Sequence, residues 1–538
     1  MNRRDIIKQL AAIPVAGGAL THSAFGKSSP SPGSILDPAS TNIYESLGID
    51  TIINCRGTFT ILGGSIELPE VIAAIEAAAG NFVQYDELAN GLGKRLAEIT
   101  KTEWGMVSAG CAAGLKHVTA ACVTGGNPEK LIRIPDLTGF EKTEVIAPRT
   151  SRNVYDHAVR NVGVKMVTVE TAEEMSRAIN PKTAMIYLVL GRHTEKGQPL
   201  SLEVVAEIAG PHGIPILADA AAEDLTIPPI HLERGATIVA YSGGKAIRGP
   251  QCAGLLLGDK NILMSAWQAS SPHHGPGRDN KVGKEEMLGM LAAVEAWIER
   301  DHPAEWKRWL SWLDIIAKKV ESIPGIQTEV RDPQGLSNHA PVLHILWDPK
   351  KLHLSGYDVA EELGRNKPRV AIGDRDQGDL TSINITPNQM QPGEAEKVAD
   401  RLHGVFSQQR EPKSEKMASP KVDLTGHWKL QVDFLSSRSE HYLFLDQDGN
   451  WMEGFHQTDF EQLELVGMIE GENIKMKSDF HRPGNHLIYL FSGKAKEDRL
   501  EGSIFLGEYL TAKFTGQRIN HQSKRQPILI PGGPPLAT

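Results

Sequence analysis

Between about residues 41 and 290, short β-branched or apolar runs alternate with helical stretches, at 51–54, 145–147, 165–169, 184–189, 214–218, 237–241 and 254–257. Strands separated by helices return in the same direction. The rhythm therefore predicts an α/β fold, a mostly parallel sheet with helices on both faces. Ligands of such sheets collect at the carboxyl edge of the strands. Two of the runs end on reactive groups there: Ile216-Leu217-Ala218 closes on Asp219, and Ile238-Val239-Ala240-Tyr241 leads into Ser242-Gly243-Gly244-Lys245.

A carboxylate and an amine so placed are the pair that pyridoxal 5'-phosphate (PLP) requires. The lysine holds the aldehyde as a Schiff base, and the carboxylate keeps the pyridine nitrogen protonated, so that the ring accepts electrons from a substrate Cα. Taken alone, the string fits better a helix-capping Asp219, a turn at Gly243-Gly244 and a solvated Lys245. A third element shifts the balance. Ser108-Ala109-Gly110-Cys111-Ala112-Ala113-Gly114 opens an alanine-rich helix. The amides of Gly110, Cys111 and Ala112 at such a helix start suit a phosphate, and Ser242 adds a hydroxyl.

Residues 69–80 begin Pro-Glu and continue as a helix, and 284–320 read as one long helix carrying Met287, Leu288, Leu291, Val294, Trp297 and Ile298 on its core face. The large PLP-binding domain spans 41–290 and a smaller α+β domain spans 291–408. A charged linker covers 409–421. Within 422–520 the pattern changes to short alternating strands, at 428–434, 441–446, 463–469, 473–478, 486–492, 499–505 and 510–517, which predict an antiparallel sandwich or barrel. The Pro/Gly-rich tail 521–538 reads as disordered.

At the amino terminus, Arg3-Arg4 precede a short small-residue apolar run, and 27–40 are Ser/Pro-rich. Residues 1–40 read as a twin-arginine export signal and linker, too short to anchor in a membrane, so a periplasmic or exported protein is expected. The 538 residues carry a formal charge of −9 with no basic stripe, which gives a nucleic-acid partner no electrostatic support. Cys55, Cys111, Cys122 and Cys252 stand singly, without metal-ligand or disulfide spacing, and read as buried free thiols.

Several motifs together resemble the selenocysteine-synthase-like branch of fold-type I PLP enzymes, nearest to the relatives of D-glucosaminate-6-phosphate ammonia lyase. They are Asn54-Cys55-Arg56-Gly57-Thr58, Leu62-Gly63-Gly64-Ser65, the stretch 152–160, Asp219-Ala220-Ala221-Ala222-Glu223, the stretch 241–250, and His274-Gly275-Pro276-Gly277-Arg278 through Lys281 to Glu285. The resemblance covers about 41–408. It implies that Lys245 bonds PLP, that Asp219 pairs with its ring nitrogen, and that Ser242 with the 110–112 amides holds its phosphate. Arg56, Arg248, Arg278, Lys281 and His274 are then candidates to hold an anionic substrate. Ser151, Arg152 and Tyr155 remain open as the group against the ring, and His157 as acid/base or structural. A homo-oligomer is implied as well.

The reading that follows is α,β-elimination from an amino acid or aminosugar acid, giving a 2-oxo acid and ammonia. The alternatives are a racemase or aminotransferase, selenium transfer to seryl-tRNA, and an inactive binding protein. Export and the added β region depart from the family, and sugar phosphates are scarce outside the cytosol, which weighs against a phosphorylated substrate.

Overall fold

The computed structural model describes residues 42–377, 380–412, 416–520 and 532–533; the expected export signal and nearly all of the 521–538 tail lie outside the described residues. Up to Ile53 the described chain holds a short turn, Glu45–Leu47, closed by Gly48 at φ 69°. From Asn54 onward the chain forms one unit.

Its centre is a seven-stranded sheet. The strands are β1 (Trp104–Ser108), β2 (Glu144–Pro148), β3 (Lys165–Val169), β4 (Thr183–Val189), β5 (Ile216–Asp219), β6 (Ile238–Ser242) and β7 (Gly254–Gly258), in the order β1-β7-β6-β5-β4-β2-β3. All neighbours run parallel except β7, which is antiparallel to both β1 and β6. Apart from the edge strand β3, where Val169 alone is buried, the strands are apolar and almost wholly buried, as a sheet covered on both faces requires. Six of the expected runs are members. The run at 51–54 forms the strand Ile52–Asn54, outside this sheet, and the place it would have taken belongs to β1, whose Gly105 obscured the strand pattern.

Helix α1 (Pro69–Ala79) starts on its proline as expected, and α2 (Tyr85–Thr100) follows. Helix α3 (Cys111–Thr124) lies buried along most of its length, and its small residues are a packing necessity: a Cβ on Gly114 would meet Leu256 at 2.9 Å. The single helix expected over 284–320 is two, α4 (Lys284–Glu299) and α5 (His302–Val320). Pro303 has no N–H to carry the first helix onward, and its ring would clash with the carbonyl four residues back, at Glu299; Asp301 Oδ1 caps the new start by accepting from the Ala304 amide at 3.0 Å. A domain boundary at 290 cuts α4, whose Met287, Met290, Val294 and Trp297 all belong to the core of the large sheet.

The smaller sheet has β8 (Gln327–Arg331), β9 (Val342–Trp347), β10 (Gly373–Gln377) and β11 (Leu380–Ile385) in the order β10-β11-β9-β8, with α6 (Gly356–Arg365) and α7 (Glu394–Phe406).

Beyond the linker, β12 (Gly426–Asp433), β13 (Arg438–Asp448), β14 (Trp451–Gln457), β15 (Gln462–Glu470), β16 (Asn473–Arg482), β17 (Asn485–Lys496), β18 (Arg499–Phe505) and β19 (Thr511–Ile519) close into an eight-stranded barrel, each strand antiparallel to the next. Of sandwich and barrel, the chain takes the barrel. Strand β14 escaped the sequence pattern because Gly454 interrupts it. In the ladder Gly454 faces Leu445, and a Cβ there would meet the Phe444 carbonyl at 1.8 Å.

Candidate cofactor site

At the carboxyl edge of β5 and β6 lies a cavity of about 230 Å³, lined by Gly110, Cys111, Ala112, Tyr155, Asp219, Ser242 and Lys245, with Thr58, Thr60 and Gln251 closing it. A larger groove of about 920 Å³ runs along the outer wall of the barrel, past Trp451 and Phe505. Volume does not decide between them. Only in the smaller cavity do a buried carboxylate and a lysine meet at the edge of an open sheet.

Asp219 is buried and its carboxylate is held by three donors: Tyr187 O–H to Oδ2 at 2.9 Å, the Ala221 amide to Oδ1 at 3.1 Å, and the Cys111 thiol to Oδ1 at 3.8 Å. Burial raises its pKa, while the Ala221 amide, the Tyr187 hydroxyl and the Lys245 charge oppose the rise. A carboxylate left with a net desolvation cost is suited to a cationic partner in the cavity. Cys111 is driven well up by burial and by Asp219, so it stays a thiol.

Lys245 sits just past β6 and, among the described residues, its ammonium has no hydrogen bond or ion pair. The loop that carries it is packed tightly. The Ser65 amide donates to the Gly244 carbonyl at 2.9 Å, and a Cβ on Gly243 would meet the Ala253 and Pro250 carbonyls at 2.8 Å. Gly110, at φ 83°, turns the chain into α3, so the first amides of that helix face the same cavity as Ser242. The residues fit PLP: an amine for its aldehyde, an acid for its ring nitrogen, and a helix start with a hydroxyl for its phosphate.

The other sequence candidates fall elsewhere. Arg248, held at φ 59° with Nε donating to the Ile66 carbonyl at 2.9 Å, lines a neighbouring cavity of about 330 Å³. That cavity shares Thr58 with the first and holds Asp224, Arg300, His302, Trp306, Trp309, Asn338 and His339. Arg56 is exposed and its guanidinium lies over the Phe59 ring at 4.6 Å. His274, Arg278 and Lys281 are exposed and line neither cavity within a single chain; Arg278 donates to Ser271 Oγ at 3.2 Å.

Of the three groups left open for the ring, Tyr155 lines the cavity. Ser151 Oγ instead accepts from the Val189 amide, and the Arg152 guanidinium binds Asp156 and Thr168. His157 is exposed and pairs with Asn161, a structural arrangement. Of the four cysteines expected to be buried, Cys252 is exposed and Cys122 is partly covered. Tyr187 was missed because it lies inside a uniformly apolar strand, where a tyrosine reads as core; its register beside β5 sets it against Asp219.

Among known proteins, the chain is 29% identical over 307 residues to D-glucosaminate-6-phosphate ammonia lyase of Salmonella typhimurium (strain 14028s / SGSC 2262), a match that spans 54% of this chain and 79% of that protein. A solved structure of D-glucosaminate-6-phosphate ammonia lyase superposes with a TM-score of 0.61 at 27% identity, covering 98% of that chain and 68% of this one. The fold is that of the fold-type I PLP-dependent enzymes. PLP is thus the cofactor, and the enzyme is a PLP-dependent lyase. The chain is also 28% identical over 375 residues to a 5'-C-glycyluridine monooxygenase-decarboxylase of a Streptomyces species, across 67% of this chain and 90% of that one. No protein-family profile matches.

Proposed function

We propose that this lyase removes ammonia from an amino acid or aminosugar acid bearing a β-hydroxyl, giving a 2-oxo acid. The observation that carries the reading is the convergence of buried Asp219 and unpaired Lys245 on one cavity with Ser242 and the start of α3. When bound, PLP supplies an electrophilic aldehyde and a ring that accepts an electron pair. Lys245 Nζ is the base that takes the Cα proton. Asp219, fixed by Tyr187 and the Ala221 amide, keeps a proton on the ring nitrogen. Ser242 and the amides of residues 110–112 anchor the phosphate, and Tyr155 forms a wall of the cavity. Overall, the substrate loses its α-amine and its β-hydroxyl, and one water oxygen becomes the 2-oxo group.

The substrate's side chain extends past Thr58 into the second cavity. Trp306 and Trp309 there, with ring centroids 6.1 Å apart, offer flat apolar surface, and Asp224, Asn338, His302 and Arg248 offer hydrogen bonds. That mixture suits a hydroxylated chain better than a bare amino acid. The named substrate of the Streptomyces relative, a glycyl nucleoside, favours a second reading, in which a larger amino acid loses carbon dioxide and takes up oxygen.

A screen for ammonia release over D- and L-amino acids and aminosugar acids, with Lys245→Ala as the blank, tests the reading. Ammonia released by the wild type alone, without an added oxo acid, supports elimination. Consumption of oxygen with release of carbon dioxide favours the second reading, and solvent deuterium at Cα of recovered substrate marks a racemase.

Exposed Phe59, Ile61, Phe82 and Val83, the first two beside cavity-lining Thr58 and Thr60, support a homo-oligomer; light scattering on the purified protein decides it. The twin-arginine start supports export, which fractionation of the producing cell checks.

A further inference from the structure

Asp156 follows Tyr155, a wall of the cofactor cavity, and its carboxylate is fully buried between two guanidiniums. Arg152 Nε donates to Oδ2 at 2.5 Å and Arg160 Nε to Oδ1 at 2.7 Å. Both arginines reach past it to the barrel. Arg152 Nη2 donates to the Pro483 carbonyl at 3.3 Å, and Arg160 Nη2 donates to the Gly484 carbonyl at 3.0 Å and to Asn485 Oδ1 at 3.2 Å. Pro483 and Gly484 make the turn between β16 and β17, and Asn485 opens β17. Gly484 is buried at φ 80°, and a Cβ there would lie 2.6 Å from Asp156 Oδ1 and 3.1 Å from Arg152 Nη2. The turn is thus shaped to lie on this carboxylate and leaves no room for a side chain.

The segment beneath needs an outside hold. It consists of two three-residue turns, Arg149–Ser151 and Val154–Asp156, and the four-residue helix His157–Arg160. Pieces this short do not hold themselves in water. On the inner side it is tied to the sheet, where Ser151 Oγ accepts from the Val189 amide at 3.0 Å. On the outer side the charge-assisted bonds to the barrel turn hold it.

We propose that the barrel is part of the cofactor site: its 483–485 segment acts through Asp156 as a positioning element that holds Tyr155 over the cavity. The proposal rests on the PLP reading of that cavity. It gives the barrel a task within the enzyme, in a chain of which about a third has no counterpart in the solved ammonia lyase, whose match covers 68% of it.

The test uses the full-length, PLP-loaded protein. Gly484→Val drives the turn off Asp156. Arg160→Leu leaves the Arg152–Asp156 pair but removes the bonds of Arg160 to Asp156, Gly484 and Asn485 together. Visible absorbance during dialysis reports cofactor retention, steady-state kinetics separate KM from kcat, and far-UV circular dichroism reports the fold. With the dichroism unchanged, both variants should lose PLP at least fivefold faster and show a raised KM. Tyr155→Ala should lose as much, and combining it with Gly484→Val should add nothing. Wild-type retention and KM in a folded variant, or multiplying losses in the double variant, overturn the proposal. If Gly484→Val does not fold, Arg160→Leu combined with Asn485→Ala decides in the same way. A wild-type spectrum that does not depend on Lys245 removes the cofactor reading itself, and this proposal with it.

Discussion

The phenol of Tyr187 donates a hydrogen bond to Asp219 Oδ2 at 2.9 Å, between two adjacent parallel strands where both side chains are buried. The bond fixes one oxygen of the carboxylate and leaves its orientation no freedom to follow a ligand. Tyr187→Phe leaves Asp219 with the Ala221 amide and the weak Cys111 donor, so burial drives its pKa further up. Stability should drop by about 1–2 kcal/mol, and PLP retention should fall severalfold. Asp219→Ala should lower kcat by a factor on the order of a thousand or more, since the ring nitrogen then has no acid partner. Equilibrium unfolding and PLP titration check both; a phenylalanine variant that binds PLP as tightly as the wild type would show the bond to be incidental.

Asp224, in the second cavity, is lifted to about 6 by burial, against the opposing charges of His339, His302 and Arg300. Between about pH 4 and 6 the native protein keeps a proton that the unfolded chain has released. Stability therefore falls as pH rises through this window, and the ionised carboxylate is a net cost above it. Asp224→Asn should match the wild type at pH 4 and exceed it at pH 7 by about 2 kcal/mol. It should also erase an inflection near pH 6 in KM for a hydroxylated substrate.

Inside the barrel, His441 Nδ1 pairs with His456 Nε2 at 2.9 Å, and His456 Nδ1 with Ser478 Oγ at 2.8 Å. Burial holds both imidazoles below their usual range, His456 at about 3. The unfolded chain takes up protons that the barrel refuses, so stability is complete above about pH 6.5 and is lost as pH falls below it. The slope approaches about 1.4 kcal/mol per pH unit for His456, and His441 adds to it in the same direction. In acid titrations followed by circular dichroism, His456→Gln should flatten this slope; an unchanged acid midpoint would contradict it.

Gly64 carries φ 73°, and a Cβ on it would meet Gln251 Oε1 at 1.7 Å and the Gly244 carbonyl at 2.6 Å. Gly64→Ala should therefore cost about 2–3 kcal/mol and disturb the Lys245 loop directly. Thermal unfolding and the Lys245-dependent absorbance should change together. A variant that loses stability while its spectrum stays the same would separate the two.

The sequence by itself determined the class of fold and picked out the carboxylate and lysine that meet in one cavity, Asp219 and Lys245. Apolar runs of strand length, broken by helical stretches, leave a covered sheet as the packing solution, and the residue ending such a run necessarily stands at the sheet's edge. Asp219, Ser242, Lys245 and the start of α3 were legible for that reason: each is a local feature of a strand end or a helix start. The tertiary structure decided everything that depends on residues distant along the chain. It set Tyr187 on Asp219 through strand register, moved Arg248 into the neighbouring cavity, and divided the long helix at Asp301. It also closed the barrel through a strand that Gly454 had disguised, and laid Gly484 on Asp156, more than three hundred residues away. Periodicity reports which face of an element is apolar; which partner covers that face is a matter of packing, and no local pattern encodes it.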